Sequence, residues 1–288
     1  MGIAKKEPSS LENKILIFGR GYIGTEYLNS NLFEKVFLSD RDITRIDQIE
    51  LEIEKYKPDA VINCAGKTNL EWCRDNKLGA IMSNIAGPLN LLNICKNKNI
   101  YLVHLGSGCI FKGDNNGKGF GEEDKPTPQC FYTYTKVVVD ELLLKENYNK
   151  LLILRLRQPF SNKPNPRNLL TKLLSYEKLI ISPNSMTYVP DLISATKFLL
   201  EKKLSGIFNI VNVGAISPYE IAIMANLILG LKKNFMPISK EEFDEMDKET
   251  GREKRVDTVL NCDKLEKTGL KMPEVTERLK ESLEEYKK

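Results

Sequence analysis

The stretch KILIFGRGYIG, residues 14–24, places a short apolar run directly before a glycine-rich turn. A run of Ile, Leu and Phe that ends at glycine is typical of a buried strand. In a GxGxxG turn the glycines let the backbone approach a pyrophosphate, and the helix that follows supplies amide donors at its N-terminus. The stretch therefore predicts the first strand, turn and helix of a dinucleotide site, with cofactor contacts from Gly19, Arg20, Gly21, Tyr22, Ile23 and Gly24.

Further apolar runs alternate with helical patterns along the chain. We predict strands over residues 14–18, 35–39, 59–63, 100–105, 151–156 and 206–211, and helices over residues 22–31, 46–56, 79–97 and 132–147. Strands and helices that alternate in this way are typical of a parallel sheet with helices on both faces. We therefore predict an α/β fold with a doubly wound parallel sheet of the Rossmann type.

Proline-rich and irregular stretches interrupt this pattern after Arg157 and again after the sixth strand. Open α/β sheets bind ligands outside the carboxyl ends of their strands, so these insertions are expected to form a small substrate-binding lobe there. The predicted organisation is a loose tail at residues 1–12, a Rossmann domain at 13–157 and 190–212, and the lobe at 158–189 and 213–288.

The composition is that of a globular protein: of 288 residues, 41% are hydrophobic and 28% are charged, with a net charge of +4. Acidic and basic residues interleave along the chain, which indicates no nucleic-acid partner. The six cysteines form no CxxC pair and His104, in a predicted strand, is the single histidine, so no metal site is expected. Without a run of about 18 apolar residues or an apolar N-terminal stretch, we expect a cytoplasmic protein with no membrane partner.

The end of the second predicted strand carries Ser39, Asp40 and Arg41, which bear on the choice of cofactor. An acidic residue at this position favours a free ribose hydroxyl, as in NADH. Arg20 and Arg41, in contrast, could clamp a 2′-phosphate. We favour NADPH over NADH on this basis.

Small residues follow the third predicted strand in the string NCAG, residues 63–66. They would let a cofactor pass close to the backbone, although an ordinary strand-to-loop turn has the same pattern. The expected cofactor contacts here are Cys64, Ala65, Gly66 and Lys67.

Two further features indicate carbonyl chemistry. Tyr132 and Lys136 in the string YTYTK are four residues apart and project from one face of a predicted helix, where the ammonium could lower the phenol's pKa and hold a ribose. Ser107 closes the fourth predicted strand, where it could donate a hydrogen bond to the same carbonyl oxygen as Tyr132. A phenol activated in this way is a usable proton donor.

The order of glycine turn, NxAG, strand-four serine and YxxxK resembles the extended short-chain dehydrogenase/reductase family. Within that family the chain resembles the 4-keto-6-deoxysugar nucleotide reductases of the dTDP-4-dehydrorhamnose reductase type. It is more similar still to the bifunctional UDP-4-keto-6-deoxyglucose 3,5-epimerase/4-reductases. The strings that carry this resemblance are NLEWCRD (69–75), GCIF (108–111), GKGFGEEDKPTP (117–128), FYTYTK (131–136), LRLRQP (154–159), NPRNLLTK (165–172), YEK (176–178) and PNSMT (183–187).

The resemblance implies a nucleotide-sugar substrate, NADP(H) as cofactor and a reductive triad of Ser107, Tyr132 and Lys136. It also implies that Cys109 and Lys172 serve in epimerisation. The remaining residues expected to line the substrate pocket are Asn69, Trp72, Asn84, Gly108, Arg157, Asn168, Thr187 and Arg255. Trp72 could instead pack in the core, and Arg255 could instead lie on the surface. Either Arg157 or Arg167 could contact the diphosphate.

A ketone at carbon 4 acidifies the protons at carbons 3 and 5, so one pocket could invert both centres before reduction. Cys109 would be the base, and Lys172 or Lys136 would increase its thiolate fraction. Two alternatives remain: a dTDP-4-dehydrorhamnose reductase without epimerase activity, and a noncatalytic cofactor-binding regulatory subunit. A homodimer is compatible with each of them.

Overall fold

The computed structural model describes residues 14–287, so the predicted tail at 1–12 lies outside the described residues. The strands are β1 (Lys14–Phe18), β2 (Lys35–Ser39), β3 (Ala60–Asn63), β4 (Tyr101–Ser107), β5 (Leu151–Leu156), β6 (Pro159–Phe160), β7 (Lys178–Ile180), β8 (Thr187–Tyr188), β9 (Gly206–Asn209) and β10 (Met236–Ile238). The α-helices are α1 (Tyr22–Leu28), α2 (Ile46–Tyr56), α3 (Leu70–Asp75), α4 (Lys77–Ile81), α5 (Gly87–Asn97), α6 (Phe131–Lys145), α7 (Leu169–Leu173), α8 (Val189–Glu201), α9 (Pro218–Leu229), α10 (Lys240–Glu249), α11 (Asp263–Glu266) and α12 (Val275–Tyr286).

Six strands form one parallel sheet in the order β2-β1-β3-β4-β5-β9. The order reverses between β1 and β3, and open α/β sheets bind ligands in the crevice at such a point, beyond the carboxyl ends of the strands. The predicted doubly wound parallel sheet is confirmed, and each predicted strand matches within about two residues. Two short parallel pairs, β10-β7 and β6-β8, lie outside it.

Both faces of the sheet are buried, which explains why its strands are continuous apolar runs. In β1, Ile15 and Ile17 belong to one hydrophobic cluster while Leu16 and Phe18 belong to another. Successive side chains of a strand point to opposite faces, so the two clusters are the two sides of the sheet. Helix α8 covers the first side and α5 the second.

A third hydrophobic cluster joins the two stretches that were predicted to form the lobe. It contains Phe160 and Leu179 from the first stretch and Ile221 and Leu279 from the second. Residues of the intervening segment, such as Leu260, instead pack in the main core. The division of the chain into two domains stays a prediction, and the segment around Leu260 is part of the sheet's hydrophobic core.

The predicted helix at 79–97 begins at Lys77 and contains a π-helical stretch, Met82–Ala86, between α4 and α5. Such stretches frequently mark functional sites, and this one carries the buried Asn84. The continuous segment Lys77–Asn97 has a mean hydropathy of 1.3 over 18 residues, long and apolar enough by itself to cross a membrane. This differs from the expectation that no such stretch occurs; 44% of the window is buried in the fold, as in a core helix.

The turn after β1 touches the end of β3 so closely that Gly19 has no room for a side chain. A Cβ on Gly19 would lie 2.5 Å from the backbone nitrogen of Ala65, and its φ is +104°. Gly113 has a similar φ of +92°, but a Cβ there would meet nothing within 4 Å.

We expect Gly19→Ala to lower the free energy of unfolding by more than Gly113→Ala does. Both substitutions place a side chain at positive φ, which costs about 1–2 kcal/mol. Only the first adds a steric overlap, which costs roughly 1–3 kcal/mol more. Urea unfolding of both variants measures the difference, and equal losses would mean that the turn does not touch β3.

Candidate active site

The glycine turn and the end of β2 form one side of the crevice. The backbone nitrogen of Gly19 donates to the carbonyl of Ser39 at 3.3 Å, which joins the two ends. Ser39 is buried, whereas Arg20, Asp40 and Arg41 are exposed. Arg41 Nε lies 3.9 Å from Oε1 of the buried Glu52, at the limit of an ion pair. The three exposed residues are therefore brought to one edge, and their contacts with a cofactor stay a prediction.

Arg167 lies over the same turn, although its segment is far away in sequence. A Cβ on Gly21 would lie 3.5 Å from Arg167 Nη1. Tyr22 and Ile23 are half-buried below, and burial raises the pKa of Tyr22, whose hydroxyl has no hydrogen-bond partner among the described residues. The lobe segment 161–168 thus borders the predicted pyrophosphate site.

The end of β3 is held from two sides by amide side chains. Asn63 Oδ1 accepts from the backbone of Ala65 at 3.0 Å, and its Nδ2 lies 3.1 Å from His104 Nδ1. Asn84 bonds both backbone groups of Lys67, at 2.8 and 2.9 Å, and donates to Thr135 Oγ1 at 3.2 Å. Asn84 is 2% exposed. It was predicted to contact substrate, but the structure uses its amide to tie the β3 loop to α6.

His104 is buried and Cys64 is half-buried beside this loop, and neither is available as a charged group. Burial raises the pKa of the Cys64 thiol. Burial, and secondly the charge of Lys136, lower the pKa of His104 well below its usual range. The predicted position of His104 in a strand is confirmed, and its Nε2 has no partner within the described chain.

Ser107, Tyr132 and Lys136 come together where β4 ends and α6 begins, and all three are buried. Lys136 Nζ donates to the carbonyl of Leu105 at 2.9 Å. Burial raises the pKa of Tyr132, and the neighbouring Ser107 acts in the opposite direction. The structure therefore assembles the three residues that the sequence placed in a triad.

The expected effect of Lys136 on the phenol is not what the structure shows. Burial, and secondly the charge of Cys109, raise the pKa of Tyr132, and these effects exceed that of Ser107. Burial also lowers the pKa of Lys136, against the opposing charge of Asp140. Tyr132 is consequently a neutral phenol, a proton donor rather than a phenolate.

A buried ion pair lies one helical turn beyond Lys136. Arg155 Nε of β5 donates to Asp140 Oδ2 at 3.0 Å, and the two side chains are 5% and 3% exposed. Burial raises the pKa of Asp140, while the charges of Arg155 and Lys136 lower it. Asp140 was not anticipated from the sequence, where YxxxKxxxD would have been the signal.

Cys109 lies two residues beyond Ser107 in a short 3₁₀ turn and is half-buried. Its backbone nitrogen donates to Ser107 Oγ at 3.2 Å, and its sulfur accepts a hydrogen bond from Arg157 Nη1 at 3.1 Å. The cation that bonds the thiol directly is therefore Arg157. The expected neighbour Lys172 is exposed on α7, and its ammonium makes no hydrogen bond or ion pair with residues 14–287.

Three residues predicted to meet the substrate have internal roles. Arg157 is buried and bonds Cys109, Asn184 and Val256. Asn168 is wholly buried: it caps α7 and bonds the loop that precedes this helix. Thr187 is wholly buried and bonds the backbone of Arg157 and Ile210. Polar atoms of these three side chains are paired inside the protein, and their contacts with substrate stay a prediction.

Three of the other predicted substrate residues lie at or beside α3, and the fourth, Gly108, is buried. Asn69 caps α3, with Oδ1 accepting from the backbone of Trp72 at 2.7 Å. Trp72 is half-buried under Lys67, whose Nζ lies 5.1 Å from its ring. Arg255 pairs with Glu71 and Asp247, each at 3.0 Å, and so joins α3 to α10. A Cβ on the buried Gly108 would lie 2.6 Å from Leu260, so this glycine packs against the core.

The fold and the triad define a Rossmann-type protein of the short-chain dehydrogenase/reductase class. The chain belongs to the RmlD substrate binding domain family, which matches residues 13–288. The family expected from the sequence motifs is thereby confirmed.

Known relatives extend this result. A bifunctional dTDP-4-dehydrorhamnose 3,5-epimerase/dTDP-4-dehydrorhamnose reductase of Arabidopsis thaliana is 41% identical over 186 residues, 61% of each chain, so less than two thirds of that protein is spanned. The crystal structure of a UDP-rhamnose synthase from Acanthamoeba polyphaga mimivirus matches with a TM-score of 0.85 at 32% identity, covering 94% of this chain and 99% of that one. A dTDP-4-dehydrorhamnose reductase from Bacillus anthracis in complex with NADP has the same fold, with a TM-score of 0.81 at 24% identity over 96% and 98% of the two chains.

The Asp140–Arg155 pair gives a prediction about stability. Asp140→Asn leaves the guanidinium buried without a counter-charge and should cost about 3–5 kcal/mol of unfolding free energy. The double variant Asp140→Leu/Arg155→Met removes both charges and should be more stable than Asp140→Asn. Urea unfolding measures both.

The exposed pair Lys96–Glu146, at 2.9 Å, is the matched control. Glu146→Gln should cost no more than about 1 kcal/mol, because solvent screens exposed pairs. If the double variant is no more stable than Asp140→Asn, the two buried charges do not depend on each other.

Proposed function

We propose that the protein reduces the 4-keto group of a nucleotide-linked 6-deoxyhexose with NADPH, after epimerising carbons 3 and 5. The substrate would be UDP-4-keto-6-deoxy-D-glucose and the product UDP-L-rhamnose. The observation that carries the proposal is a buried triad, Ser107, Tyr132 and Lys136, with the thiol of Cys109 beside it. The names of the Arabidopsis and mimivirus relatives support both the substrate class and the product.

The residues at the crevice fit a dinucleotide. The Lys136 ammonium has three N–H donors, and within the described chain it makes one hydrogen bond, to Leu105. Two donors are left for ribose hydroxyls, which agrees with the role of this lysine in the family. NADPH bound here would supply the hydride. Arg20 and Arg41 are exposed beside Asp40, where a 2′-phosphate would find cations without displacing a strong ion pair.

Reduction needs a proton at the carbonyl oxygen, and Tyr132 can deliver it. Burial keeps the phenol neutral, and Ser107 lies beside it. As the carbonyl oxygen becomes an alkoxide it takes the phenolic proton, and the nearby Lys136 ammonium stabilises the phenolate that remains. Ser107 holds the same oxygen with its hydroxyl.

Epimerisation needs a base at carbons 3 and 5. The Cys109 thiolate would take the ring proton, the electrons of the C–H bond would form a C=C bond, and the carbonyl electrons would move to oxygen 4. A proton then returns to carbon from the opposite face and the ketone re-forms, so no oxidant or reductant is consumed. Lys172 is proposed as the second acid, which requires its exposed side chain to turn toward the sugar. The cytoplasmic location and a homodimer stay predictions.

Variants at the triad test the reductase. Tyr132→Phe should abolish ketone reduction with little change in NADPH affinity, because it removes the proton donor and leaves the ribose contacts. Lys136→Met should lose both. NADPH oxidation at 340 nm and cofactor titration measure the two effects. Equal cofactor affinities in the two variants would contradict this division of roles. A wild-type protein that binds NADPH tightly but does not reduce the keto sugar would favour a noncatalytic regulatory subunit.

Variants at the thiol test the epimerase. Cys109→Ala and Lys172→Ala should each stop solvent deuterium from entering the ring at carbons 3 and 5, while reduction of the 4-keto group continues. The product, followed by NMR with the UDP and dTDP keto sugars, should change from a rhamnose to an unepimerised 6-deoxyhexose. Cys130→Ala, at another half-buried thiol, is the control and should leave exchange intact.

A wild-type protein that reduces the keto sugar without deuterium uptake would identify a 4-reductase that depends on a separate epimerase. Uptake that persists in Cys109→Ala would exclude that residue as the base. Faster turnover with the dTDP sugar than with the UDP sugar would reassign the carrier.

A further inference from the structure

Arg155 in β5 and Arg157 just after this strand are both buried, but their charges are compensated differently. Arg155 pairs with the carboxylate of Asp140 at 3.0 Å. Arg157 is 7% exposed and has no carboxylate within ion-pair distance in the described part of the chain. A buried guanidinium without a counter-charge is costly, so an anionic partner for Arg157 would stabilise the fold.

The hydrogen bonds of Arg157 leave one candidate for that partner. Nη2 donates to Asn184 Oδ1 at 2.6 Å and to the carbonyl of Val256, both of which are neutral. Nη1 donates to the sulfur of Cys109 at 3.1 Å. Of the groups that Arg157 contacts, the thiol alone can become an anion.

We propose that Arg157 holds Cys109 as a thiolate and is thereby the positioning residue for the epimerising base. The inference rests on the proposed function, because the base matters only if the sugar is epimerised. The charged pair between Arg157 and Cys109 can be measured without substrate.

Other charged or titratable groups face the thiol and act in the same or the opposite direction. The Lys136 ammonium on α6 interacts with the Cys109 charge and adds to the effect of Arg157. Tyr132 interacts with it as well, and the thiolate helps to keep the phenol protonated. Asp257 lies behind Asn184, at 3.1 Å from its Nδ2, and is the nearest competing anion along this network. Arg157 is the group among them that bonds the sulfur directly.

The experiment is alkylation of the full-length protein by iodoacetamide between pH 5 and 10, with the rate at each cysteine read by peptide mass spectrometry. A free thiol is half ionised near pH 8.5, so wild-type Cys109 should react with a midpoint about one pH unit or more below this value. Arg157→Met should move the midpoint up and slow alkylation at pH 7 at least tenfold. Arg157→Lys retains a cation and should recover most of the rate, which a purely structural role for the guanidinium would not predict.

Cys130 in the same samples is the internal control, since its rate should be the same in all three proteins. Unchanged Cys109 profiles in Arg157→Met, or equal profiles for the Lys and Met variants, would overturn the proposal. If Arg157→Met does not fold, the wild type decides alone, because a Cys109 midpoint at or above pH 8.5 also overturns it. An Arg157-dependent thiolate in a protein whose Cys109→Ala variant still exchanges deuterium would sustain the charged pair, but it would overturn the role of Arg157 in epimerisation together with the proposed base.

Discussion

Cations are buried behind the carboxyl edge of the sheet, and the shape of the site depends on how each is compensated. Lys136 donates to a strand carbonyl, Arg155 pairs with Asp140, and Arg157 meets the sulfur of Cys109. Burial makes each of these contacts obligatory, because an unpaired charge in the interior costs several kcal/mol. The contact of Arg157 also orients Cys109, so stability and chemistry share this interaction.

Loops at the edge of the sheet are held by buried amides and hydroxyls. Asn84 replaces water for both backbone groups of Lys67, and Asn168 does the same for the loop at Ser161 and Lys163. Irregular backbone near a core needs partners of this kind, since its own polar groups have no ladder to join. Asn84 and Asn168 therefore hold the loops of the site in place.

The C-terminal third of the chain completes the site from the other side. The segment after α10 pairs with residues 113–120 through the bridges Gly113–Thr258 and Phe120–Leu260. This pairing brings the carbonyl of Val256 to Arg157 and packs Leu260 on Gly108. Arg255, just before it, joins α3 to α10 through Glu71 and Asp247. The position of Cys109 thus depends on residues more than a hundred positions away in the chain.

Local patterns in the sequence determined the strands of the sheet, the turn after β1 and the gathering of Ser107, Tyr132 and Lys136. Each depends on interactions between near neighbours or on the rule that parallel strands end at one edge. The tertiary structure alone decided which polar residues face inward: Arg157 bonds a thiol, and Asn168 and Thr187 are internal. It also decided that burial keeps Tyr132 neutral, whereas the sequence suggested that Lys136 lowers its pKa. The physical reason is that desolvation and the pairing of buried charges depend on what surrounds a group in space, and residue type and spacing do not encode those surroundings.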